Sequence, residues 1–532
     1  MDIKTNSNHS NLAFDREIDN SKAWLETKIT DACGHSSEIL LDCLMQCFVA
    51  ISHCPYTTAA SLLGKATDNC IPAPGTKINC VSAHMETGSG RITVAPKQWL
   101  ANQFHFFLHW AYCLIAILTI KKASKNDRPA TLVFDIGEEN LFRDGNDERF
   151  VNYCRMGPIT PLREGKRLIV QSTSKNVFSC DPDFTYSRKP LIDLLHETNL
   201  GFFGRSRLLL NHWISFFAYM SATFRLPQLS LLGRDIAYSS IFFELDRHKL
   251  IESVVFTIGS YHRQPLWVRE LQRSKVHMIW YSQNAEPIIF ASDNVASYIP
   301  NFRWIRAGVH WVWTNSFAEY IRAFAHDAAI KVVGPIVWYM PEMNLPAKNA
   351  LQITIIDILP FGDETSLLNG AFPNYYHPRN LLSFIKDIVH LKHELEKTFN
   401  LPVNFVLKPK RVVTGYAVQD RCYSDFLEEL ASSKLISFEQ PSRNLYSMIS
   451  GSHLVIVYPF SSPAYLAEYL KVPSIYYDPT KTIKRHDFGD SPSLINFANC
   501  PDDLLKVAIA ALSSVLPDAV TVKDRVAHSS PA

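Results

Sequence analysis

The chain has 532 residues, more than one hydrophobic core sustains, so two or three domains are expected. Apolar residues make up 47% and charged residues 20%, which excludes a disordered chain; 53 basic against 51 acidic residues, with no long like-charge run, exclude the basic excess of a dedicated nucleic-acid binder. The eleven cysteines form no CxxC pair and no zinc spacing, and the polar start MDIKTNSNHSNLAFDRE has no apolar signal core, so a reduced, cytoplasmic setting is expected.

Residues 1–128 read as a mainly helical N-terminal extension. Leu25, Ile29, Cys33, Leu40, Leu41, Leu44 and Phe48 recur at helical spacing, whereas residues 53–98, rich in Gly, Pro, Thr and Asn, read as an irregular connection. Phe104 to Ile120 is strongly apolar, contains His105 and His109, and falls short of a membrane span. It is expected to be a buried or partly buried helix. The alternative is a helix lying on the membrane surface, which its Trp, Phe and following lysines suit.

From Pro129 the pattern changes to short apolar runs alternating with helical stretches, the signature of a parallel α/β sheet. In residues 129–346 the expected strands are Thr131–Phe134, Arg167–Gln171, Ser253–Ile258, Val276–Tyr281, Val309–Thr314 and Lys331–Pro335, with a helix over Ser316–His326. A Pro-rich stretch, Trp338 to Ala350, reads as a linker. In residues 347–532 five strands are expected: Ile353–Leu359, Val403–Leu407, Ile436–Phe438, Leu454–Val457 and Ser474–Tyr477. Helices over Arg379–Phe399, Tyr423–Ser432, Asn444–Ser450, Pro463–Leu470 and Asp502–Ser514 interleave with them. Open parallel sheets bind ligands at the carboxyl ends of their strands, so the residues following each strand carry the chemistry.

After Val403–Leu407 come Lys408, Pro409, Lys410 and Arg411, a cationic cluster able to neutralise a phosphate and the charge of a departing nucleotide. The plain alternative is a solvated basic turn. After Leu454–Val457 comes Tyr458-Pro-Phe-Ser461-Ser462-Pro463, where Ser462 is an expected helix N-cap and Pro463 the first helical residue. A helix start offers N–H groups to an anion, and Ser461 and Ser462 add hydroxyls. Phe361 and Gly362, in the loop after Ile353–Leu359, are placed by position beside the same ligand, as is Tyr458.

The run VYPFSSPAYLAEYLKVPSIYYDP, with LKPKR upstream, resembles the surface-carbohydrate (O-antigen or capsule) biosynthesis family named for its Pro-Phe-Thr-Ser motif, with Ser461 in place of the threonine. The layout also resembles bacterial sialyl- and Kdo-type transferases that use CMP-sugars. That resemblance implies that Lys408 and Pro409, and later Ser461 and Ser462, hold the donor phosphate. The usual histidine of the first element is missing, with Lys410 nearby. It also implies an acceptor-side aspartate in an acidic-Gly motif, for which Asp135-Ile-Gly137-Glu138-Glu139 is the nearest match. His262 and Glu286, which follow later strands, are the other candidate bases.

Phosphate-loop, dinucleotide and hydrolase-elbow motifs are absent, and Asp181-Pro-Asp183 has DxD spacing only within a turn-rich loop. The expectation is therefore a GT-B α/β protein: two Rossmann-like domains facing a cleft, with a mainly helical N-terminal extension. Its expected reaction is metal-independent transfer of a sugar from a nucleotide donor, CMP-activated by preference, to a bacterial surface polysaccharide or lipid-linked glycan. No metal, nucleic acid or further cofactor is expected, and contact with the inner face of the inner membrane is peripheral. The alternatives are a UDP- or GDP-sugar or CDP-polyol transferase of the same fold, and a non-catalytic scaffold in polysaccharide assembly.

Overall fold

A computed structural model describes residues 7–33, 37–49, 77–79, 84–86, 89–120, 128–137, 141, 147–163, 165–173, 179–257, 264–281, 304–325, 327–336, 349–358, 360, 377–409, 421–440, 443–459, 461–481, 483 and 494–516. The chain divides into two compact units, the first drawn chiefly from Met1–Gln283 and the second chiefly from Met340–Ala532.

The first unit begins with helices α1 (Ser7–Cys33) and α2 (Glu38–Val49). Strands β1 (Lys77–Asn79), β2 (His84–Glu86) and β3 (Arg91–Thr93) follow and pair antiparallel. The expectation of an irregular connection is thereby corrected: strands of three residues are too short for alternation to show. Leu25, Ile29, Leu41, Leu44 and Phe48 pack with Ile92 and with Leu226, Leu229, Leu232 and Trp304, so the N-terminal helices share the core of the first unit. A buried polar seam accompanies that contact. Gln46 Oε1 accepts from Arg269 Nη2 (2.6 Å) and from the backbone N–H of Gln264 (2.9 Å).

The main sheet of this unit is wholly parallel. Its strands are β4 (Ala130–Phe134), β5 (Arg167–Gln171), β6 (Phe184–Ser187), β7 (Ile251–Thr257), β8 (Val276–Ile279), β9 (Val309–Val312) and β10 (Ala329–Val332), in the spatial order β10-β9-β8-β7-β4-β5-β6. Strand β4 is buried at all five positions, which is why it reads in sequence as an unbroken apolar run. Strand β6 at the sheet edge reads PheThrTyrSer, half-exposed, and was not expected.

Helix α3 (Pro96–Leu118) contains the apolar segment noted above. One face, with Phe106, Trp110, Cys113, Ala116 and Ile117, is buried; the other is exposed, so the helix is partly buried. After α4 (Glu148–Met156) and α5 (Pro190–Glu197), two long helices not expected from sequence follow, α6 (Phe202–Arg225) and α7 (Gly233–Arg247). Phe106 and Trp110 of α3, Tyr219 of α6 and Ala237 of α7 form one cluster. At Gly233 a Cβ would lie 2.9 Å from Phe106 Cβ, so only glycine lets α3 approach the start of α7. Helix α8 (Asn315–Arg322) follows β9.

The second unit has β11 (Leu351–Ile356), α9 (Pro378–Phe399), β12 (Val403–Lys408), α10 (Arg421–Ser433), β13 (Ser437–Phe438), α11 (Leu445–Ser450), β14 (Leu454–Val457), α12 (Pro463–Tyr469), β15 (Ser474–Tyr477), β16 (Ile495–Ala498) and α13 (Pro501–Val515). All six strands are parallel, in the order β13-β12-β11-β14-β15-β16. The sixth, β16, extends the expected five at an edge. Each unit therefore carries its own Rossmann-like parallel sheet, with strand order reversing beside its first strand.

Candidate functional site

In the second unit the reversal lies at β11, between β12 and β14. The register aligns Ile356 with Lys408 on one side and with Val457 on the other. The basic strand end and the serine turn thus flank the carboxyl end of β11. They sit not on adjacent strands but on the two strands either side of β11. With parallel strands about 4.8 Å apart, their backbones stand roughly 10 Å from each other.

Lys408 is half-buried and ends β12 on the face shared with Asn404 and Val406, opposite the buried Val403, Phe405 and Leu407. Pro409 follows it. Ser461 Oγ donates to the carbonyl of Tyr458 at 3.0 Å, and its own carbonyl accepts from the Tyr476 hydroxyl at 3.1 Å, fastening the turn to β15. Ser462 is not the side-chain cap expected of it. Its backbone is already helical (φ −55°, ψ −23°), it makes no capping bond, and its carbonyl accepts from Leu466 N–H at 3.2 Å. Tyr458 is a core residue and not part of an open loop: it is fully buried, with its ring edge-on to Phe384 of α9 at 5.4 Å.

Asp357 follows β11 and does not lie within it, as expected from the apolar run. It is buried and accepts from the Tyr423 hydroxyl of α10 at 2.6 Å, tying the switch point to that helix. Burial, with Asp357 beside it, pushes the Tyr423 phenol well above its ordinary range. A second carboxylate at a strand end, Asp478 after β15, accepts from Thr480 N–H and Thr480 Oγ1 and from Ile483 N–H, and so builds a turn. Sequence reasoning passed over Asp478; the signal was a carboxylate directly after the buried strand residues Ile475, Tyr476 and Tyr477.

In the first unit the reversal lies between β4 and β7, and Asp135 occupies it. Its φ is +67°, a left-handed conformation uncommon outside glycine, though Asp tolerates it better than most residues. Thr257 at the end of β7 holds it there, donating to the Asp135 carbonyl at 2.6 Å. The two units thus place an aspartate immediately after their first strands, Asp135 half-exposed and Asp357 buried. Of the other candidates, His262, Glu286, Lys410, Arg411, Phe361 and Gly362 lie outside the described residues.

The Asp181-Pro-Asp183 pair is engaged by arginines: Asp181 with Arg155 Nε at 2.8 Å, Asp183 with Arg128 at 3.0 Å and Arg155 at 3.6 Å. Arg155 holds the Asp181 carboxyl below its ordinary range. Among the described residues no group of three His, Cys, Asp or Glu is arranged to hold a metal ion.

The family described as polysaccharide biosynthesis PFTS motif protein matches residues 217–505, more than half of the chain. The match starts within α6 and takes in the Lys408 strand end and the sequence Pro459-Phe460-Ser461-Ser462. No curated protein matches the chain. Similar solved structures include the wall teichoic acid polymerase TagF, at 10% identity over 81% of this chain and 92% of that one, with a TM-score of 0.37. Sucrose-phosphate synthase from Thermosynechococcus elongatus is similar at 12% identity over 74% and 90%, with a TM-score of 0.37. A glycosyltransferase from Rickettsia africae is similar at 9% identity over 73% and 89%, with a TM-score of 0.36.

Proposed function

The chain belongs to the polysaccharide biosynthesis PFTS motif family, and from that premise we propose that it is a glycosyltransferase drawing on a nucleotide-activated donor, CMP-sugar by preference. The observation that carries this reading is the placement of Lys408 and the Ser461–Ser462 turn on the two strands flanking β11, where the strand order of the second sheet reverses. Ligands of open parallel sheets bind at such points, and a cation with hydroxyls and helix-start N–H groups suits a phosphate.

In this reading the second unit holds the donor's nucleotide, with Lys410, Arg411, Phe361 and Gly362 assigned to it from sequence. The leaving phosphate's charge is met by Lys408, so the transfer runs without a metal. The first unit takes the acceptor, a surface polysaccharide or lipid-linked glycan, and Asp135 is the base that accepts the acceptor hydroxyl's proton; His262 and Glu286 are the alternatives.

The test is a thermal-shift series of the full chain with CMP, UDP, GDP and CDP, followed by turnover with sugars activated by whichever nucleotide binds. Stabilisation by CMP beyond the others, and release of CMP from a CMP-sugar on adding glycan, are expected. Stabilisation by UDP, GDP or CDP alone moves the donor class, and no response to any nucleotide leaves the scaffold reading.

A further inference from the structure

Large apolar side chains left exposed are concentrated on two helices of the first unit. On α3, Leu100, Phe104, Phe107, Leu108, Ile115 and Leu118 fall at spacings of helical period, which places them on one stripe. On α6, Leu210, Trp213, Ile214, Phe217 and Phe224 form a second stripe, and Phe202 and Phe203 at its start are 79% and 86% exposed.

The helices run antiparallel and side by side. Trp99 meets Phe224 (ring centroids 5.4 Å), Phe106 meets Phe216 (5.7 Å), and Trp110 meets Trp213 (4.7 Å). Their inner faces rest on α7 through the cluster of Phe106, Trp110, Tyr219 and Ala237, and through His212 Nδ1, 2.8 Å from Ser240 Oγ. His212 Nε2 meets the Trp110 carbonyl at 3.0 Å, locking the pair together. With both helices seated on α7, their exposed stripes face the same way and make one apolar surface. Contiguous apolar surface of this kind marks a binding face.

Charge identifies the occupant. The 23 residues of α3 and 24 of α6 contain no aspartate or glutamate, only Lys97, Arg205, Arg207 and Arg225. Arg207 is neutralised by Glu244 beneath it. Lys97 and Arg225 are exposed at one shared end of the pair, and the Lys189 ammonium sits 3.1 Å from the centroid of the Tyr112 ring near the other. Among the described residues no helix is long and apolar enough to cross a membrane. We infer that α3 and α6 form an in-plane membrane-docking face that sinks its Phe, Leu, Ile and Trp side chains into an anionic lipid surface, with Lys97, Arg225 and Lys189 at the headgroups. An apolar face rimmed by cations is matched by a bilayer bearing negative headgroups. A second copy fits worse, because twofold pairing of this face brings like-charged rims together.

The experiment is co-sedimentation of the full chain with large vesicles of phosphatidylcholine alone and of equimolar phosphatidylcholine and phosphatidylglycerol. Two variants are compared with the parent: Phe104→Ser with Phe203→Ser and Phe217→Ser, and Lys97→Glu with Arg225→Glu. The parent is expected to bind anionic vesicles about tenfold more strongly than neutral ones. The serine variant loses binding to both by about tenfold or more, and the glutamate variant falls to the neutral level. These side chains are exposed, so melting temperature and nucleotide-induced thermal shift stay as in the parent; a failure here is thereby separable from a failure of the donor reading. Variants that sediment like the parent overturn the inference. So does a parent that stays in solution, or one that forms a concentration-dependent dimer dissolved by the serine variant.

Discussion

At the scale of single residues, the second unit's candidate site was readable where a polar group ends an apolar run. Lys408 and the Ser461–Ser462 turn stood out because each follows closely on a largely apolar strand run. Their roles were less readable: Tyr458 sits in the core, and the Ser461 hydroxyl fastens its own turn. Lys408→Ala removes a charge-assisted contact worth roughly 1.5–3 kcal/mol, so kcat/KM for the true donor should fall roughly ten- to a hundredfold. Ser461→Ala should lower both kcat/KM and thermal stability, since a turn bond goes too. A folded Lys408→Ala enzyme with parental kcat/KM refutes the phosphate role. Asp135 shows what sequence hides. Its identity could be read, but its left-handed backbone and the Thr257 bond that holds it could not. Asparagine tolerates the same φ, so Asp135→Asn should keep the fold while lowering kcat by about a hundredfold or more, the usual share of a general base. Unchanged turnover would transfer the role to His262 or Glu286.

At the scale of elements, the interior strands were legible and two edge strands, β6 and β16, were not, because half-exposed edges lack a continuous apolar run. Helix α6 was missed for a related reason: apolar side chains on its outer face erase the contrast on which helical periodicity depends. Neighbouring strands β8 and β9 carry a paired device of their own. Trp280 Nε1 donates to His310 Nδ1 at 3.0 Å, and Trp311 Nε1 to His277 Nδ1 at 3.4 Å, so both imidazoles must stay neutral. Burial, aided by Arg273, lowers His310 to about 3; burial, aided by Lys331, lowers His277 to about 4. Both values lie below the ordinary 6.5, so below pH 6.5 the unfolded chain binds the extra protons. The stability these residues contribute is present above 6.5 and is lost as pH falls towards 4 and 3. Each histidine should cost up to roughly 1.4 kcal/mol per pH unit in that window. Urea melts at several pH values should show the first unit weakening as pH drops, with a shallower slope in His310→Asn. Identical slopes in parent and variant would show that the histidine is not the titrating group.

At the scale of the molecule, the alternation of strands and helices made two parallel sheets legible, whereas the docking of α1 and α2 into the first unit's core was not, since the cluster that contains both Leu44 and Leu229 unites residues distant in sequence. The second unit has a core of its own: Ile353, Ile355, Phe384, Ile388, Val455, Ile475, Leu504 and Leu512 are all fully buried. Every described residue proposed to hold the donor lies on it, so residues 340–532 expressed alone should melt cooperatively and bind the nucleotide by themselves. A ligand at a hundred times its Kd stabilises the folded state by about 2.7 kcal/mol, enough for a shift of several degrees in a domain of this size. The expected result is a nucleotide-dependent rise in the fragment's melting temperature, matching the full chain's preference among CMP, UDP, GDP and CDP and reduced by about half or more in Lys408→Ala. A fragment that melts cooperatively yet ignores the nucleotide that stabilises the full chain would move the donor pocket off the second sheet's switch point. A fragment that responds equally with and without Lys408 would keep the pocket there and remove the lysine from it.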